Sequence, residues 1–209
     1  VAGVPRVETV SFPTPDGGRV SADVYGAGRS AVILAPGGRF RKESWAAQAR
    51  PISASGFRVL AIDFRGRGNS VSGTAGAERV DLDVVGAIQY LRATGADSVS
   101  VVGASFGGVA AAGAATAHPG QIDQLILLAA TSLAVPPEQF PQRTLFLVGT
   151  RDTMATGVPR LVEIREHYRR APSGKRLVLL DSAAHAQFLF DTDQGNKVLE
   201  EILTFLQGR

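Results

Sequence analysis

Ser98-Val-Ser-Val-Val-Gly103-Ala-Ser105-Phe106-Gly107-Gly108-Val-Ala-Ala-Ala112 joins a β-rich apolar run to a run of small helix-forming residues through a serine flanked by glycines. It reads as strand, sharp turn, helix. Gly103-Ala104-Ser105-Phe106-Gly107 fits the pattern G-x-S-x-G, and the glycines have a steric reason. A serine on so tight a turn leaves no room for side chains two residues to either side. The turn lifts the Ser105 hydroxyl clear of the strand and sets it at the start of a helix, where unpaired N–H groups and the helix dipole favour negative charge.

Working outward, residues 7–12 and 19–26 alternate apolar and polar around Pro13-Thr-Pro-Asp16-Gly17-Gly18, which predicts an antiparallel hairpin with one solvated face. From Ala31 the pattern changes to continuous, largely apolar runs, interrupted only at Arg58 and Ser100: 31–35, 57–62, 99–102, 125–130, 145–148 and 177–180. Such runs belong to strands covered on both faces. Helical segments fall between them at about 43–55, 78–94, 106–117 and 158–170, with another at 194–207. The alternation predicts an α/β fold: a mainly parallel central sheet, helices on both faces and the antiparallel hairpin at its N-terminal end. No linker or repeat divides the chain, so residues 1–209 are expected to form a single domain.

There is no cysteine, which excludes disulfides, thiolate metal sites and a cysteine nucleophile. The net charge of +3 is spread along the chain, so nucleic acid is not an expected partner. No apolar run reaches the length of a membrane span and no secretory leader is read at the start, so no membrane partner is expected. The chain opens at Val1, and the expectation is of a trimmed start. Cytoplasmic residence is favoured, a secreted mature chain is compatible, and the oligomeric state is left open. The three histidines do not form H-E-x-x-H, no G-K-[ST] occurs, and Gly66-Arg-Gly68-Asn-Ser-Val71 lacks the third glycine of a dinucleotide loop. No metal and no cofactor are expected.

A serine at such a turn needs a base, an acid and an anion-binding loop, with the acid and base at later strand ends in the order Ser, Asp/Glu, His. His118 closes the helix that Ser105 opens, and His167 sits among charged residues and is expected to be solvated. His185 follows the last apolar run in a loop, where parallel sheets carry their active sites, and is the candidate base. Asp152, directly after the run 145–149, is the candidate acid; Asp181 competes but stands only four residues before His185 and is expected to tie down that loop. Phe106 and Gly38, in Pro36-Gly37-Gly38-Arg39-Phe40, are the candidate N–H donors to an oxyanion, with Arg39 as the alternative to Gly38.

With these residues in place the chain resembles the α/β-hydrolase superfamily over nearly all its length. Asp63-Phe-Arg65-Gly66-Arg67-Gly68-Asn69-Ser70 is similar to the D-x-R-G-x-G-x-S segment after the family's fourth strand, its arginines read as loop-fixing and solvated. Glu43-Ser44-Trp45 is similar to the start of the family's first helix, with Trp45 as packing. Pro36 stands where the family often has histidine before the glycine. Larger members insert a cap domain after the sixth strand, whereas only Thr131–Arg143 separates the two strands here.

The resemblance implies an α/β-hydrolase fold without a cap and a small serine esterase, with Ser105, Asp152 and His185 as its catalytic residues. The expected substrate is a small-molecule carboxylic ester of short to medium acyl chain. The pocket walls would be Phe40, Phe106, Leu133, Met154, Phe188 and Phe190. Two alternatives stay open. The same residues could serve a thioester, amide or dienelactone, with Arg39, Arg41 and Lys42 drawing a carboxylate-bearing substrate; or the fold could be a non-catalytic receptor.

Overall fold

Continuous, largely apolar runs form the interior of the sheet because both of their faces must be covered, and the alternating runs go to its edge. The computed structural model describes residues 7–208. Its strands are β1 (Glu8–Pro13), β2 (Arg19–Tyr25), β3 (Ser30–Ala35), β4 (Arg58–Ile62), β5 (Ser98–Ala104), β6 (Gln124–Leu128), β7 (Arg143–Gly149) and β8 (Arg176–Leu180). They form one sheet in the order β1-β2-β4-β3-β5-β6-β7-β8. β1 and β2 are antiparallel, β2 is antiparallel to β4, and every later neighbour is parallel. The expected solvated face holds for β1 alone: β2 is buried from Val20 to Asp23, since helices pack against both of its faces.

The helices are α1 (Ala46–Ala54), α2 (Asp81–Ala93), α3 (Phe106–Ala117), α4 (Arg160–Arg170) and α5 (Gly195–Leu206). The chain steps from β3 to β4 in one direction and then back past β3 to β5. Right-handed crossovers therefore put α1 on one face and α2 and α3 on the other. The reversal also makes a switch point between β3 and β5, whose carboxyl ends flank the crevice where open parallel sheets bind ligands. The loop after β3 carries Gly38 and the turn after β5 carries Ser105, so the fold delivers both to that crevice. From β6 to β7, residues 129–142 hold only a short 3-10 turn at Pro137–Gln139, and no cap domain is inserted.

The segment after β4 is fixed by buried charge. Arg65, whose side chain is wholly buried, donates Nε–H to Asp83 Oδ1 (2.8 Å) and both Nη groups to Asp16 (2.9 and 3.1 Å). Its backbone N–H donates to Asp83 Oδ2 at 2.7 Å. The guanidinium holds the Asp16 carboxyl well below the usual carboxylate range. One side chain thus joins the hairpin turn, the loop after β4 and the first turn of α2, as the loop-fixing reading of Arg65 expects. Trp45 is fully buried, in keeping with packing.

His167 corrects its expectation. It is 7% exposed rather than solvated, with Nε2 3.4 Å from Glu163 Oε1 and Nδ1 lacking a hydrogen-bond partner. Burial pushes its pKa below the ordinary value. Unfolding frees the ring to take up a proton, so its contribution to stability is complete above pH ~6.5 and is lost as pH falls through that value. The expected result is a urea midpoint that drops between pH about 7.5 and about 5, and drops less in His167→Gln.

Candidate active site

The turn at Ser105 is as tight as its glycines imply. Ser105 has φ 48° and ψ −112°, a region that side chains avoid. A Cβ on Gly103 would stand 2.5 Å from the Gly107 carbonyl oxygen, and one on Gly107 would stand 2.2 Å from that of Ala35. Both positions therefore need glycine. The Ser105 N–H donates to the Leu128 carbonyl at 2.9 Å, while its own carbonyl accepts from Gly108 and Val109 (2.9 and 3.1 Å), seating the residue between β6 and the first turn of α3.

The loops after β7 and β8 bring the other two candidates to the same crevice. His185 Nε2 lies 2.8 Å from Ser105 Oγ, and Nδ1 lies 2.7 Å from Asp152 Oδ2. A carboxylate only accepts, so Nδ1 carries the proton and Nε2 is free to accept from the serine hydroxyl. Asp152 is 1% exposed, and its Oδ1 accepts from Arg160 Nε at 3.2 Å. The competing residues are elsewhere. His118 caps the C-terminal end of α3, His167 is buried in α4, and Asp181 is exposed and pairs with Arg151.

The anion loop closes through the Phe40 N–H donating to the Gly37 carbonyl (2.9 Å). Gly37 spends its own N–H on Gln187 Oε1 (2.7 Å), and the Gln187 amide in turn donates to Ser44 Oγ at 2.8 Å. Gln187 is buried and lies two residues past His185, so it ties the histidine loop to the glycine loop. Sequence reasoning missed it; the available signal was a polar amide set in the apolar turn Ala186-Gln-Phe-Leu189. Gly38 comes next to Phe106: a Cβ there would be 3.6 Å from Phe106 Cβ. Phe106 opens α3, so its N–H has no intrahelical acceptor. Among the described residues neither its N–H nor that of Gly38 finds an acceptor.

The expected pocket walls separate into two groups. Phe40 and Phe188 face each other with ring centres 5.1 Å apart, spanning the glycine and histidine loops, and Phe188 is 40% exposed. Phe106 meets the buried Phe64 edge-on at 5.3 Å. Leu133, after β6, is half-buried against the core, and Met154, after β7, is half-buried in a turn closed by its N–H to the Val158 carbonyl. Phe190 packs edge-on against Trp45 at 5.8 Å and is half-buried against the core. Lys42 is withdrawn from the loop's charge, because its buried ammonium lies 2.7 Å from Asp23 and 3.1 Å from Glu43. Among the described residues no group of three or more His, Asp or Glu side chains could hold a metal, and no helix is long and apolar enough to cross a membrane.

Solved structures share this fold. The chain resembles the crystal structure of a predicted CIB-like hydrolase from Thermoplasma acidophilum (TM-score 0.79, 22% identity, 98% of this chain and 100% of the other). It also resembles an esterase from Exiguobacterium antarcticum (TM-score 0.76, 15% identity, 96% and 100%). In sequence it is 30% identical over 106 residues to a 2-hydroxy-6-oxononadienedioate/2-hydroxy-6-oxononatrienedioate hydrolase of Dechloromonas aromatica, a match spanning 49% of this chain and 37% of that relative. The model of the alpha/beta hydrolase family matches residues 32–202, from β3 through most of α5. The family match over residues 32–202, with a sheet order to fit, places the chain in the alpha/beta hydrolase family.

Proposed function

We propose that the chain is a serine hydrolase that cleaves carboxylic esters of short to medium acyl chain through an acyl-enzyme. The observation that carries this reading is the relay from Ser105 through His185 to Asp152, with hydrogen bonds of 2.8 and 2.7 Å. Ser105 Oγ attacks the ester carbonyl carbon while His185 Nε2 takes the hydroxyl proton. Asp152 holds the ring and stabilises the imidazolium. The negative oxygen is met by the N–H groups of Phe106 and Gly38. Collapse breaks the C–O bond, and the alcohol leaves with the proton from His185. Water, deprotonated by the same imidazole, then releases the acid and restores the hydroxyl. The exposed Phe188 against Phe40, with no cap above them, suits a small apolar acyl group.

A panel of p-nitrophenyl esters from acetyl to dodecanoyl tests this reading. Turnover should be highest for the shorter acyl groups and absent in Ser105→Ala. A folded wild type that hydrolyses none of them overturns the proposal.

Arg39 and Arg41 favour a second reading of the substrate. Both are exposed, and neither meets a carboxylate among the described residues. The same relay would then act on an ester or lactone bearing a carboxylate. Rates that favour the anionic ester at low salt and lose that preference at high salt support it.

A further inference from the structure

Arg160 opens α4 and turns back onto the loop the chain has just left. Its backbone N–H donates to the Asp152 carbonyl at 3.0 Å, and the Met154 N–H meets the Val158 carbonyl at 2.8 Å, with a further bridge between Thr153 and Pro159. Residues 152–160 therefore form a closed loop whose two ends are Asp152 and Arg160. The Arg160 side chain adds two contacts, Nε–H to Asp152 Oδ1 at 3.2 Å and Nη1–H to Thr131 Oγ1 at 2.7 Å.

Asp152 presents its other oxygen, Oδ2, to His185 Nδ1. Among the described residues Arg160 is the only donor to Oδ1. At 1% exposure the carboxylate has no solvent to replace it. The terminal torsion of an aspartate is soft, so a carboxylate gripped by one oxygen swings, and a second, charge-assisted bond on the other oxygen fixes its plane. Thr131 belongs to the loop after β6, and in the same first turn of α4 Glu163 accepts the Ser132 N–H from that loop. The first turn of α4 thus holds two things at once: the acid and the loop beside it.

We infer that Arg160 is a positioning residue for the reaction proposed above, setting the Asp152 carboxylate in the orientation that presents Oδ2 to His185. The inference rests on that reading of the site. Arg160 touches neither His185 nor Ser105 by hydrogen bond, so its effect passes through Asp152.

The test is a double-mutant cycle on a neutral p-nitrophenyl ester. Arg160→Met and Arg160→Lys are assayed alone and in Asp152→Asn, each well below its melting transition. Arg160→Met should lower kcat by roughly 10- to 100-fold with KM within about twofold of wild type, and Arg160→Lys should recover part of that loss. In the Asp152→Asn background, Arg160→Met should change kcat by less than about twofold. An equal loss in both backgrounds, or no loss in either, overturns the inference. Should Arg160→Met fail to fold, Arg160→Lys carries the same cycle. A wild type that neither turns over esters nor takes up a fluorophosphonate overturns the functional reading and this inference with it. A labelled, active wild type beside an unchanged Arg160→Met overturns the inference alone.

Discussion

Ser105→Ala should lower kcat for a short-chain ester by about 10⁶-fold, the scale of loss when a serine nucleophile is removed from a hydrogen-bonded relay. KM should stay within a few-fold, because the hydroxyl is proposed to form its decisive bond only as the acyl group transfers. Stability separates this variant from a second one. Ser105 is held at φ 48° and ψ −112°, a conformation that costs a side-chain-bearing residue on the order of 1–3 kcal/mol. Alanine keeps the Cβ and the strain, whereas glycine loses both. Ser105→Gly should therefore be as inactive as Ser105→Ala yet melt at a higher temperature, even after glycine's entropic cost of roughly 0.5–1 kcal/mol. Equal melting temperatures would mean that the turn stores no strain.

Asp83→Ala should be the most destabilising of the substitutions considered. Asp83 is completely buried and accepts two bonds from Arg65, whose side chain is equally buried. Removing Asp83 leaves Asp16 alone to face the buried guanidinium and strips the acceptor from the Arg65 Nε–H and backbone N–H, at a cost of about 3–5 kcal/mol. Against a total of roughly 5–15 kcal/mol for a folded domain, that is a fifth or more of the stability. Urea unfolding should show the midpoint falling accordingly. The contrast is Asp97→Ala, which breaks the Arg29–Asp97 pair at 75% and 59% side-chain exposure and should leave the midpoint where it was. The Asp83 variant should also lose activity before it unfolds, because Phe64, beside Arg65, supports the Phe106 ring at the nucleophile turn.

These effects mark the boundary between what the sequence displays and what it conceals. The parallel strands were legible because burial on both faces forces continuous, largely apolar runs, and each run from 31–35 to 177–180 lies within or beside a strand. The tight turn at Ser105 was legible because its backbone excludes side chains at Gly103 and Gly107. Asp152 and His185 could be singled out because parallel sheets send their functional loops to one edge. Polar side chains whose work depends on a distant partner were not legible. Gln187 meets Gly37 from 150 positions away, and the burial of Lys42, beyond β3, depends on Asp23 in β2. His167 was misread because α4 is so highly charged that its buried stripe, Ile164 with His167, is too narrow to register as a face. The packing of Phe190 on Trp45 is equally hidden, because an aromatic residue near a strand end has the same local pattern whether it lines a site or packs on a tryptophan.

The proposed hydrolysis requires Ser105 to be a nucleophile activated by His185, and trapping it tests that most directly. Folded wild-type protein is incubated with a fluorophosphonate, its intact mass is measured, and the adduct is located by peptide mapping. The prediction is one adduct per chain, on the peptide containing Ser105, none in Ser105→Ala, and a severely slowed reaction in His185→Ala. An unmodified wild type, or an adduct on any other residue, would contradict it.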